Sequence, residues 1–121
     1  MRILVVDDDA LAGEMTTVIL EDAGHTVVYC ENAVEALARL GEDPGIEMVI
    51  SDMNMPLLDG LELFSTLRDQ RVDVPFILLT GDDPGSLRRK EPRLGVCIVK
   101  DGDLVSNLAR GVAMALVQHG S

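Results

Sequence analysis

Five side chains with chemical potential stand where short apolar runs end. Asp7 and Asp8 follow residues 2–6, Asp52 follows 46–50, Thr80 closes 74–80, and Lys100 follows 96–99. Such runs, rich in aliphatic residues and poor in charge, mark strands buried on both faces of a parallel sheet. In open α/β sheets ligands bind at the carboxyl ends of the strands, where strand order reverses and the loops part. Three carboxylates gathered there repel one another and call for a counter-charge. A hard divalent cation with oxygen ligands supplies it, and Mg2+ suits a site with few protein ligands and several waters. The hydroxyl of Thr80 and the ammonium of Lys100 complete a phosphoryl-handling set. A phosphoryl group in transfer carries its charge on three oxygens and needs placed cations and donors more than a base. A carboxylate such as Asp52 can attack phosphorus directly and form an aspartyl phosphate, so the nucleophile's role falls to it. Singly, each acid is also an ordinary turn former or helix cap. What points to chemistry is several strand ends presenting it together.

The elements that must position these groups alternate along the chain. After the first strand, Leu11, Met15, Val18 and Ile19 recur at helical spacing, with Gly24 as a stop. A second strand is expected over 25–30 and a second helix over about 32–40, capped by Asn32 and carried by Val34, Leu37 and Leu40. A third helix follows Asp59-Gly60 with Leu61, Phe64 and Leu67 facing inward, and a last one covers about 103–118. Its apolar arc exceeds what core packing needs, which suggests a partner surface such as a homodimer through the last helix. Five strands alternating with helices predict a three-layer α/β/α sandwich. Its five-stranded parallel sheet has order 2-1-3-4-5, the flavodoxin/CheY-like arrangement, with right-handed crossovers. Asp7, Asp8 and Asp52 then face one another across the reversal between strands one and three.

A chain of 121 residues is one domain. Its 21 acids against 10 basic side chains give a formal charge of −11, which argues against direct nucleic-acid binding and against docking on an anionic membrane. No apolar run approaches the roughly 18 residues of a membrane span, and three acids interrupt the N-terminal apolar segment, so a cytoplasmic protein is expected. Cys30 and Cys97 lack metal-ligand spacing and fall on opposite sheet edges, about 19 Å apart at 4.8 Å per strand. Both are expected to be buried thiols.

The sequence resembles the receiver domains of two-component response regulators over essentially its whole length, 1–121. The resemblance rests on Val5-Val6-Asp7-Asp8, on Asp52 followed by Met55-Pro56 and Asp59-Gly60, on Leu79-Thr80, and on Lys100. It implies that Asp52 accepts phosphate from a histidine kinase or histidine phosphotransfer protein. It also implies that Asp7, Asp8 and Asp52 hold Mg2+ together with the backbone carbonyl of Asn54, that Thr80 bonds the phosphoryl group, and that Lys100 pairs with it. Such a domain gains and loses phosphate on its own aspartate and is not a turnover enzyme. Its output passes to a downstream protein target or to an effector domain outside this sequence.

Departures gather after Thr80. Receiver domains usually carry an aromatic switch residue three positions before the lysine, where this sequence has Cys97, and a proline after it, where Asp101-Gly102 stands. The expectation is that switching works through the region after Thr80, residues 81–94 with Arg88-Arg89-Lys90, and not through an aromatic rotation. Two other readings compete. In a phosphohydrolase of the haloacid-dehalogenase kind, Asp7 is the nucleophile and Asp9 its second acid. In a binding module that keeps the receiver fold, phosphorylation no longer matters.

Overall fold

The computed structural model describes residues 1–100 and 103–120, with side chains through residue 118. Ten elements alternate: β1 (Arg2–Val6), α1 (Ala10–Asp22), β2 (Thr26–Cys30), α2 (Ala33–Glu42), β3 (Met48–Asp52), α3 (Gly60–Asp69), β4 (Phe76–Thr80), α4 (Pro84–Lys90), β5 (Val96–Val99) and α5 (Leu104–Gly120). All pairings are parallel and the strand order is β2-β1-β3-β4-β5, as the sequence predicts.

Because side chains alternate along a strand, the sheet divides the core in two. Leu4, Val6, Val49, Phe76 and Leu78 pack with Ala33, Ala36, Phe64, Leu67 and Leu87 of α2, α3 and α4. Ile3, Val5, Met48, Ile50, Ile77 and Leu79 pack with Leu20 of α1 and Leu108, Val112 and Ala115 of α5. Leu61, Phe64 and Leu67 face inward as expected. Phe76 meets Phe64 edge-on at 5.1 Å, and Arg68 lies over the Phe64 ring while its guanidinium donates to the carbonyls of Val72 and Val74.

Two helices depart in part from the expected inward face, although Ile19 of α1 and Leu37 and Leu40 of α2 do pack against the core. In α1 the buried residues are Gly13, Thr16 and Leu20, whereas Leu11, Met15 and Val18 are 77%, 59% and 49% exposed. Both stripes have helical spacing, and the ring of Tyr29 on β2 selects between them. It presses on α1 at Gly13, where a Cβ would overlap it, so the small-residue face is the one that fits. In α2, Ala33 and Ala36 take the buried positions, Leu37 and Leu40 are half-buried, and Val34 points outward. Helix α4 has no counterpart in the sequence reading; it is seven residues long, starts at Pro84 behind the cap Asp83, and stops before Pro92. Cys30 is buried as expected, but Cys97 is only half-buried; both are free thiols. Asp101 and Gly102, where the sequence lacks the usual proline, lie outside the described residues.

Candidate functional site

Sheet register brings the five candidate residues to one edge. Val6 pairs with Ser51, so Asp7 stands level with Asp52 at the end of β3. Asp52 pairs with Leu79 and Thr80 with Val99, which sets Thr80 and Lys100 one step beyond on the neighbouring strands. Helix caps separate structural acids from the others. Asp9, Asp59 and Asp83 each cap a helix, the second in a reciprocal box with Glu62. Asp7, Asp8 and Asp52 cap none, and one carboxylate oxygen of each lies within 4.8 Å of the others.

This grouping is costly without a cation. Asp7 is 2% exposed, and burial pushes its carboxyl above the usual range; the charges of Asp52 and Asp8 add to the rise, opposed by the Asp9 N–H and by Lys100. Among the described residues Asp52 Oδ1 is buried with no hydrogen-bond partner, and it forms an ion pair with Lys100 Nζ. Ligand oxygens around an Mg2+ ion at its usual bond lengths stand about 3–4 Å apart, so a cluster of this spread fits the ion with slight contraction. Asn54 lies exposed in the loop two residues past Asp52. Thr80 is fully buried; its hydroxyl oxygen accepts from Asp82 N at 2.8 Å, and its carbonyl accepts from Lys100 N at 2.7 Å. A cavity of about 280 Å3 opens beside the carboxylates, bordered by Asp7, Met15, Thr16, Lys100 and Leu104.

Two supporting residues escaped the sequence reading as such. The hydroxyl of Tyr29 donates to the carbonyl oxygen of Asp7 at 2.5 Å, tying the acidic loop to β2. Gly60 packs against the carbonyl of Asp52, where a Cβ would overlap both it and Leu78, and its N–H donates to Met53 O at 2.8 Å. The Asp59-Gly60 pair stands in the sequence as a motif, but only the folded loop shows why its second residue has no side chain. Asp9 caps α1 through Oδ1, which accepts from Leu11 N and Ala12 N, so the second acid of the haloacid-dehalogenase reading serves as a helix cap here.

A doubly wound parallel sheet with an acidic cluster, a buried threonine and a lysine at its carboxyl edge defines a phosphoryl-handling signalling domain. Residues 3–106 match the response regulator receiver domain family, and the chain belongs to that family. It is 41% identical over 88 residues to response regulator MprA of Mycobacterium ulcerans, a match covering 73% of this chain and 38% of that protein. The chain thus spans well under half the length of that relative. Among solved structures it resembles chemotaxis protein CheY4 of Vibrio cholerae, with 27% identity, TM-score 0.84 and 95% and 98% of the two chains covered. It also resembles response regulator TrrA of Thermotoga maritima, solved in complex with Mg2+ and BeF, with 30% identity, TM-score 0.81 and the same coverage. No described helix is long and apolar enough to cross a membrane.

Proposed function

We propose that residues 1–121 form one receiver unit that takes a phosphoryl group onto Asp52 from the phosphohistidine of a histidine kinase or phosphotransfer protein. The observation that carries this is Asp52 Oδ1, buried, without a hydrogen bond, facing Lys100 and clustered with Asp7 and Asp8. An Asp52 oxygen attacks phosphorus as the bond to the histidine nitrogen breaks and that nitrogen keeps the electron pair. Lys100 pairs with a phosphoryl oxygen once Asp52 has given up its charge, and the Thr80 hydroxyl, whose own proton is not used by Asp82 N, donates to another. Asp7, Asp8, Asp52 and the Asn54 carbonyl would hold Mg2+, which would supply positive charge to offset that of the phosphoryl group. Water later hydrolyses the acyl phosphate, so the domain resets on its own aspartate and turns over no external substrate.

Docking of the donor is supported by the outward stripe of Leu11, Met15 and Val18 on α1. Met15 borders the same cavity as Asp7 and Lys100, and an apolar stripe of this spacing suits a helix laid beside it. The charge of −11 supports a protein, not nucleic acid, as the direct partner, and with no helix among the described residues long and apolar enough to cross a membrane it supports a cytoplasmic place. Residues 81–90 carry the output to a downstream target or effector domain.

The test is mass mapping after reaction with acetyl phosphate and Mg2+. Label on Asp52, lost in Asp52→Asn, is expected. Label on Asp7 overturns the assignment, and failure of beryllofluoride with Mg2+ to raise the melting temperature favours a binding module that phosphate does not switch.

A further inference from the structure

The cavity of about 280 Å3 that opens beside the carboxylates has two kinds of wall. At one end stand Asp7 and Lys100, the first within 4.8 Å of the Asp52 carboxylate and the second ion-paired with it. The remaining walls are Ala12, Met15 and Thr16 of α1, Leu79 of β4 and Leu104 of α5, four apolar side chains and one hydroxyl. Leu79 and Thr16 are 3% and 2% exposed, so the space is a recess between α1 and α5 that reaches down to the sheet, not a flat patch. Its α1 wall is low because Ala12 carries a single methyl group. The chain between Lys100 and Asp103 is Asp101-Gly102, which carries no apolar side chain. An apolar recess that shares two walls with a reactive site suits a ligand whose apolar body is attached to the group that reacts.

We infer that the recess is a leaving-group subsite, and that Asp52 takes phosphate from acyl phosphates with a short aliphatic chain in preference to acetyl phosphate. The inference rests on the reading of Asp52 as phosphoacceptor and adds a second class of donor to the phosphohistidine of a protein. An Asp52 oxygen bonds to phosphorus as the bond from phosphorus to the acyl oxygen breaks; that oxygen keeps the electron pair and departs as a carboxylate, and no proton moves. Because Asp7 and Lys100 belong to both the site and the recess, whatever fills the recess starts within a few bonds of phosphorus. The chain of an acyl phosphate starts on the carbon next to the carbonyl and meets that condition. In a protein donor the phosphoryl group sits on an imidazole at the end of a side chain, and the neighbouring apolar side chains start from backbone farther away. The base and sugar of a nucleotide need several convergent polar partners, and Thr16 is the one uncharged polar side chain in these walls. Alkyl carboxylates differ little in basicity, so lengthening the chain leaves the bond to phosphorus as reactive as before and changes only what is buried.

Timed labelling of Asp52 in the full chain, with Mg2+ and a range of concentrations of acetyl, propionyl and butyryl phosphate, tests it. The half-saturating concentration is expected to fall about three- to fourfold per methylene along the series, the scale for a methylene taken out of water. The maximal rate is expected to change little, since the chain is bound equally before and during transfer. Ala12→Leu fills the recess from α1, and Met15→Glu sets a charge in its wall at a position 59% exposed. Each variant is expected to bring the ratio of half-saturating concentrations for acetyl and butyryl phosphate close to one. The ratio cancels any change in overall rate, and the melting temperature of each variant confirms that it folds. Label on Asp52 with equal half-saturation along the series, with weaker binding of the longer chains, or with a preference that survives in both variants overturns the inference and leaves the phosphoacceptor reading standing. Absence of label on Asp52 from every donor, acetyl phosphate included, overturns both.

Discussion

Gly60 lies against the carbonyl of Asp52 so closely that a Cβ there would overlap the Asp52 oxygen and the Leu78 side chain. The start of α3 therefore seats the reactive loop. Neither neighbour gives way cheaply, since one is backbone and the other is packed in the core. Gly60→Ala is expected to destabilise the chain by about 1–3 kcal/mol and to slow acceptance of phosphate from acetyl phosphate. Urea unfolding and acyl-phosphate yield measure the two effects. Unchanged stability shows that the loop shifts freely and that the close approach is not what positions Asp52.

Tyr29 acts on the acidic loop through backbone. Removing its hydroxyl in Tyr29→Phe leaves the Asp7 carbonyl to water, which costs about 1 kcal/mol of stability and weakens Mg2+ binding about tenfold, the scale for a group that orients a ligand. Titration calorimetry with Mg2+ reads the affinity. Equal affinity in the two proteins makes Tyr29 a packing residue only.

Asp7 puts function and stability in opposition. Its carboxyl titrates above the usual range because it is buried, so the folded state binds a proton more readily than the unfolded chain and loses stability as pH rises through the carboxylate range. Asp7→Asn removes that cost while its side-chain oxygen can still accept from Asp9 N. The expected outcome is a higher melting temperature for Asp7→Asn without Mg2+ at pH 7, and no further rise when Mg2+ is added. A lower melting temperature means that Lys100 outweighs the desolvation of Asp7.

How legible all this was in the sequence depended on the kind of signal. The strands and their order were legible because buried parallel strands are near-continuous apolar runs, and each such run in this chain ends on a turn residue or a charge. The convergence of Asp7, Asp8, Asp52, Thr80 and Lys100 followed from that order alone. Helix phase was not legible in α1, where Leu11-Met15-Val18 and Gly13-Thr16-Leu20 share one spacing, and only the ring of Tyr29 on another element decides between them. Helix α4 was invisible because seven residues with one buried side chain, Leu87, carry no period. The bond from Tyr29 to Asp7 spans 22 positions and ends on a carbonyl, which no side-chain pattern encodes.

Glu91 anchors the segment after α4. Arg93 donates to its carboxylate through the guanidinium and the backbone N–H, and Ser65 of α3 donates at 2.9 Å, while Arg93 also reaches Asp69 of α3 at 3.1 Å. These bonds, that of the Arg93 side chain foremost, hold the Glu91 carboxyl at about 2, below its ordinary 4.5. A depressed folded-state value means stability present above about 4.5 and lost as pH falls toward about 2. Glu91→Gln should melt several degrees lower at pH 7, and the gap to the parent chain should close across that window. A gap independent of pH shows that the charge of Glu91 is not what binds the segment to α3.

That anchor divides the region after Thr80 in two. Residues 91–94 are tied to α3, whereas residues 81–90 are held by the cap Asp83, by Leu87 in the core, by the bond from Arg88 to Gly95 O and by the bond from Asp82 N to the Thr80 hydroxyl. A Thr80 hydroxyl that turns to donate to a phosphoryl group on Asp52 loosens that last bond. A charge-assisted bond of about 1.5–3 kcal/mol is enough to shift a population roughly ten- to a hundredfold. Beryllofluoride with Mg2+ should therefore change amide exchange in residues 81–90 and leave 91–94 unchanged. In Thr80→Ala the exchange response should disappear while Asp52 still accepts phosphate within about tenfold of the parent rate, since Lys100 and the acidic cluster remain. Thr80→Ser, which keeps the hydroxyl, should retain the response. A response that survives in Thr80→Ala places the switch elsewhere, with Lys100 at the end of β5 the next group to test.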